Sequence, residues 1–113
     1  MDLSGVAARE DEVGAVFAAL ADPTRRRLVQ SLAGGTTVTA SALARELPMT
    51  RQAVAKHLAA LGQAGLVACE RRGREAHYRL TPEPLTEAAD WMVAVGAQWD
   101  DRLAALRTHL ASR

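Results

Sequence analysis

The chain has 113 residues, 49% of them hydrophobic but only 4% aromatic, and a net charge of +1. That length fits one small domain with a modest interior built from Ala, Leu and Val, a composition that favours helices. Its single cysteine excludes an intrachain disulfide and suits a reducing compartment; no cationic segment followed by an apolar run opens the chain, and no apolar stretch could span a bilayer, so a cytoplasmic protein without membrane contact is expected.

Residues 1–10 are small, polar and aperiodic, and read as a flexible lead-in to one domain over residues 11–113. Val13, Val16, Phe17 and Leu20 then share one face of a helix. Asp22-Pro23 interrupts it, with Asp22 placed to cap a second helix that starts at Pro23 and stops at Gly34-Gly35. Thr39 or Ser41 can cap a third helix, in which Ala40, Leu43, Ala44 and Leu47 share a face until Pro48-Met49. Thr50 caps a fourth, spanning 50–64, with Val54, Leu58 and Leu61 as its buried stripe. Two β segments follow, roughly 66–71 and 75–80, joined at Arg72-Gly73-Arg74. Thr81-Pro82 opens a long last helix. The predicted fold is mainly α with a small β-hairpin wing: five helices, the last of them a dimerisation helix.

The charge is unevenly spread. Residues 24–80 hold ten Arg or Lys against three acids, a balance of +7, while the remainder holds four against ten, −6. A basic stretch with acidic flanks points toward nucleic acid. Helical spacing turns Gln52, Lys56, Ala59 and Gln63 of the fourth helix outward, opposite its apolar stripe, with Ala55 beside them. Thr50 and Arg51 stand at its N-terminal end, the end that enters the major groove in helix-turn-helix proteins. Gln pairs bidentately with adenine and Arg or Lys with guanine, while Thr50 and the first-turn amides suit a phosphate. His57 lies at the margin of the buried stripe, fitted to a structural or phosphate-facing role. Arg71, Arg72 and Arg74 crowd a hairpin tip, where like charges repel unless an anion accepts them; a wing on the DNA backbone meets that need. Ala76, Tyr78 and Leu80 alternate with Glu75, His77 and Arg79, so one face packs on the helices.

Taken together, Ala21-Asp22-Pro23-Thr24-Arg25-Arg26-Arg27-Leu28, Leu43-Ala44, Ala53-Val54-Ala55-Lys56-His57-Leu58-Ala59-Ala60-Leu61, Ala64-Gly65-Leu66-Val67 and Tyr78-Arg79-Leu80 resemble the ArsR/SmtB-type winged helix-turn-helix repressors of bacteria and archaea. The resemblance covers nearly the whole chain. It implies a homodimer that binds an inverted-repeat operator and represses transcription, and it implies a structural or phosphate-near place for Arg25 to Arg27.

Many regulators of this family sense metals, but the positions that match their ligands are differently filled. Thr39, Ser41 and Ala44 stand where the arsenic-type site has cysteines. Asp90 could open the zinc-type pattern, yet Met92 follows where His belongs, and His109 is isolated. No metal and no cofactor are therefore expected, and the inducer is unknown. Cys69 shares a strand face with Val67 and reads as a buried core thiol.

In the last helix Leu85, Ala88, Met92, Val95, Trp99, Leu103, Leu106 and Leu110 recur in steps of three and four, a coiled-coil-like stripe. A domain this small cannot bury all of it, so pairing with a second copy is its outlet. Trp91 and Trp99 are the expected anchors, and Val16 and Phe17 of the first helix would pack alongside. Pro84-Leu85, Ala89-Asp90-Trp91 and Trp99-Asp100-Asp101-Arg102-Leu103 also resemble the ending of a non-metal subgroup of the family. The expected function is a sequence-specific, homodimeric DNA-binding repressor. The alternatives are a metal- or thiol-responsive sensor of the same fold and a protein-interaction module without DNA. No catalytic constellation is evident, so an enzyme is not expected.

Overall fold

The three shorter helices each open on a side-chain cap that the sequence carries. The computed structural model describes the backbone of residues 4–112 and the side chains of residues 10–112. Helix α1 (Ser4–Leu20) begins inside the stretch expected to be a lead-in; residues 1–3 lie outside the described residues. In α2 (Pro23–Leu32), Asp22 Oδ1 accepts from the amides of Thr24 at 2.7 Å and Arg25 at 3.2 Å, and Pro23 fills the first turn, where no amide partner is needed. Thr39 caps α3 (Ala40–Glu46) by accepting from Ala42 N at 3.1 Å, and Thr50 caps α4 (Arg51–Gln63) in the same way from Ala53 N, also at 3.1 Å. Between them Pro48 enforces the break, so α3 and α4 form a helix-turn-helix.

The end of α4 is a Schellman motif. Leu66 N–H reaches back to Leu61 O and Gly65 N–H to Gly62 O, both at 3.0 Å, and Gly65 adopts φ +78°. Leu61 and Leu66 are both fully buried, which supplies the apolar contact that accompanies this turn. The chain then enters β2 (Val67–Arg72), turns at Gly73-Arg74, and returns as β3 (Glu75–Leu80). Gly73 has φ +63°, the conformation a tight two-residue hairpin requires at that position.

Sequence periodicity missed one strand. The two residues of β1 (Val38–Thr39) pair antiparallel with β3, Val38 opposite Tyr78, giving a three-stranded sheet in the order β1-β3-β2. Two residues are too few to carry an alternation signal. The strand ties the start of α3 to the base of the wing.

The core gathers one face from every helix: Val13, Val16 and Ala19 of α1, Leu28 and Leu32 of α2, Leu43 of α3, Val54, Leu58 and Leu61 of α4, with Leu66, Val67 and Ala88 closing it. Tyr78 and Leu80 pack against it from the sheet, as their alternation predicts. Cys69 corrects the sequence reading, since it is exposed. Only Val67 and Ala68 at the base of β2 are covered; beyond them the hairpin leaves the body, and sharing a face with Val67 no longer brings burial.

Val16 is likewise corrected. It is 1% exposed and belongs to the protomer core, so it has no surface to offer a partner. Leu85 is half-buried against the same core, and Val95 is half-buried too. Helix α5 (Glu83–Ala111) packs against α1. Along its distal half every residue from Gly96 to Ser112 is exposed. The chain is accordingly elongated, 70 × 36 × 21 Å with a radius of gyration of 19.1 Å, against about 13 Å for a compact domain of 100 residues. Among the described residues no helix is long and apolar enough to cross a membrane.

Candidate nucleic-acid interface

Helix α4 is a two-faced element, and its two faces settle what it can do. Val54, Leu58 and Leu61 are 0–1% exposed and fix it to the core. The opposite side carries Arg51, Gln52, Lys56, Ala59 and Gln63, all exposed, with Ala55 half-covered between them. Thr50, Arg51, Gln52 and Ala55 line one shallow depression at the N-terminal end. Among the described residues neither Arg51 nor Lys56 has a carboxylate within ion-pair distance, so both charges are unneutralised. The Thr50 oxygen is committed to its cap, while its own proton remains free to be donated.

His57 points elsewhere. It is half-buried on the side of α4 that faces α2, and its Nδ1 accepts from Arg25 Nε at 3.3 Å. Sequence reading placed it at the margin of the stripe but could not see its partner, which lies 32 residues earlier. Around this contact, burial tends to raise the Asp22 carboxyl, but the amides of Arg25 and Thr24 and the nearby His57 and Arg25 side chains outweigh it. They hold Asp22 below its ordinary value.

At the wing Arg71, Arg72 and Arg74 are all exposed, though they do not share a face. The register sets Arg71 opposite Ala76, on the side of Cys69 and Tyr78, while Arg72 stands opposite Glu75, on the side of Glu70 and His77. Arg72 Nη2 lies 3.4 Å from Glu70 Oε2, so one tip arginine already has an anion beside it. His77 Nε2 is 3.2 Å from Glu75 Oε2. Burial pushes the Tyr78 hydroxyl above its ordinary value, and the neighbouring Cys69 thiol adds to the shift. Among the described residues no group of three His, Cys, Asp or Glu side chains converges as a metal site.

Comparison with known proteins matches these parts to a family. A family model described as a helix-turn-helix domain covers residues 20–70. The chain is 33% identical over 78 residues to the transcriptional repressor SdpR of Bacillus subtilis, spanning 69% of this chain and 86% of that protein. An ArsR-like transcriptional regulator from Rhodococcus sp. RHA1 superposes with a TM-score of 0.77 at 44% identity, over 88% of this chain and 92% of that one. The chain belongs to the ArsR family.

It is thus a winged helix-turn-helix and a DNA-binding transcriptional regulator. A solution structure of a homodimeric winged helix-turn-helix DNA-binding domain from Mycobacterium bovis matches with a TM-score of 0.65 at 30% identity, over 88% of this chain and 89% of that one. In ArsR terms α3 and α4 are the helix-turn-helix, α4 the reading helix and β2-β3 the wing.

Beyond the wing lies a second exposed surface. Phe17 meets Trp91 edge-on, with ring centroids 5.7 Å apart, and each remains more than a third exposed. Met92, Trp99, Leu103, Leu106 and Leu110 continue that strip along α5, each about half exposed. So much apolar area on one helix of a small protein marks an interaction surface.

Proposed function

We propose that the protein acts as a homodimeric repressor on an inverted-repeat operator, with the N-terminal half of α4 in the major groove and the wing on the adjacent backbone. The observation that carries the reading is the division of α4, whose apolar stripe is buried while Arg51, Gln52 and Lys56 stand exposed and unpaired on the other side. Gln52 and Lys56 are the base-reading candidates, Arg51 either a base or a phosphate contact, and Thr50 a phosphate donor. Arg71, Arg72 and Arg74 would track phosphates or an adjacent minor groove. The exposed strip of Phe17, Trp91, Met92, Trp99, Leu103 and Leu106 supports a two-fold pairing of α1 and α5, which sets the spacing of two reading helices.

Footprinting on the promoter of its own gene, with Gln52→Ala and Lys56→Ala beside the wild type, tests this. A folded, dimeric variant that protects the operator undiminished would contradict it. A second reading keeps the fold and adds a thiol-responsive switch, favoured by the exposure of Cys69 at the wing. A mass shift at Cys69 after mild peroxide, with loss of operator binding, would support it. Intact binding after complete modification would dismiss it.

A further inference from the structure

The reading helix is seated almost entirely by apolar contact. Val54, Leu58 and Leu61 fill the core and set which face of α4 points outward, though the hydrophobic effect that drives this packing is itself non-directional. One polar contact breaks the pattern, the hydrogen bond from Arg25 Nε–H of α2 to His57 Nδ1 of α4 at 3.3 Å. Among the described residues it is the only hydrogen bond between side chains of two helices. Both residues are half-buried, so water competes less for the bond than at an exposed site. Arg25 also lines a groove with Ala15, Ala18 and Ala19 of α1, Ala60 and Gln63 of α4, and Ala64 at the end of that helix. The alanines leave room for the guanidinium, and among the described residues its Nε–H donates to no side chain other than His57.

We infer that Arg25 is a positioning residue for DNA reading: by holding His57 it fixes the rotation of α4 about its axis, and a proton on His57 Nδ1 releases that hold. The inference rests on the proposed placement of α4 in the major groove. His57 is next in sequence to Lys56 and five residues from Gln52, so a small rotation of α4 would redirect both. The bond needs the Nδ1 lone pair, which leaves the neutral ring its proton on Nε2. Once Nδ1 is protonated, no acceptor remains and two cations face each other. The charged groups beside the imidazole are Arg25 of α2 and Asp22 at its start, while Lys56, next in sequence, stands on the outward face. Asp22 accepts from the amides of Thr24 and Arg25, and among the described residues no carboxylate lies within ion-pair distance of His57. On α3 the charged Arg45 and Glu46 are turned to solvent.

The test is operator affinity, by fluorescence anisotropy, between about pH 8 and about pH 5.5, the range over which imidazoles change charge. Wild-type affinity is expected to fall about three- to tenfold on acidification, the worth of one such hydrogen bond. At the upper pH, Arg25→Ala and His57→Ala each show a loss of similar size, the double variant is no worse than either, and all three are flat with pH. His57→Asn, whose Oδ1 takes the place of Nδ1 but cannot be protonated, recovers most of the affinity lost in His57→Ala and is also flat. Additive losses in the double variant, or His57→Asn as weak as His57→Ala, would overturn the inference. So would wild-type affinity that rises in acid, because an imidazolium touching phosphate gives that sign. Lys56→Ala separates the two layers: if it binds undiminished, the major-groove placement itself fails. Circular dichroism confirms that each variant is folded, and should Arg25→Ala not fold, the His57 pair decides alone.

Discussion

Removing the Trp99 ring should separate the dimer without unfolding the protomer. Trp99 is 57% exposed, and its ring has the Arg102 guanidinium 5.4 Å from its centroid. A tryptophan presents roughly 250 Å² at most, so roughly 140 Å² is open, worth about 3.5 kcal/mol if a partner covered it fully. Alanine retains its Cβ and neighbouring side chains relax, which leaves a loss of about 2–3 kcal/mol per protomer. A two-fold interface loses it twice, so Trp99→Ala should weaken dimerisation by about a thousandfold or more. Sedimentation velocity over a dilution series measures this directly, and far-ultraviolet circular dichroism checks the helix content. The core does not contain Trp99, so helicity at a concentration where the wild type is dimeric should change only modestly. A variant that dissociates over the same concentration range as the wild type would refute the claim that this strip is the dimer seam.

Three further outcomes follow from the fold. Gly65→Ala meets no worse neighbour than Pro84 Cγ at 3.5 Å, so its cost is the backbone strain of φ +78° in an L-residue, about 1–2 kcal/mol by urea titration. Leu61→Ala, at a fully buried position, should cost about 2–5 kcal/mol in the same assay. Asp22 is held below its ordinary value of 3.8, so its contribution is complete above that pH and lost as pH falls through the lowered folded value. Asp22→Asn, which can still cap the helix, should therefore flatten that part of the acid limb of the stability profile; an unchanged limb would show that other carboxyls control it.

The legible parts of this protein were those written in short-range signals. Capping by Asp22 and Thr50, a third cap at Thr39 or Ser41 that the fold resolves to Thr39, the break at Pro48, the glycine turns at Gly65 and Gly73 and the outward set Gln52, Lys56, Ala59 and Gln63 all follow from neighbours in sequence. Contacts between distant residues were not legible. Nothing near His57 announces Arg25, and a strand as short as Val38–Thr39 has no periodicity to read. The Arg72–Glu70 pair is legible in principle, because alternation puts both on one face of β2. Cys69 and Val16 failed for a related reason. Periodicity identifies a face, but only the fold says where along an element that face stops being covered.

The most direct test of the account is the salt dependence of operator binding in the wild type and an Arg71/Arg72/Arg74→Ala variant, on a duplex selected by the protein from a random pool. A dimer presents two wings, and if all three arginines of each meet phosphates, the slope of log affinity against log salt should become shallower by roughly five in the variant. A steep wild-type slope that flattens by that order is the predicted result. A shallow wild-type slope, or one that the variant reproduces, would contradict DNA reading through the wing and the helix beside it.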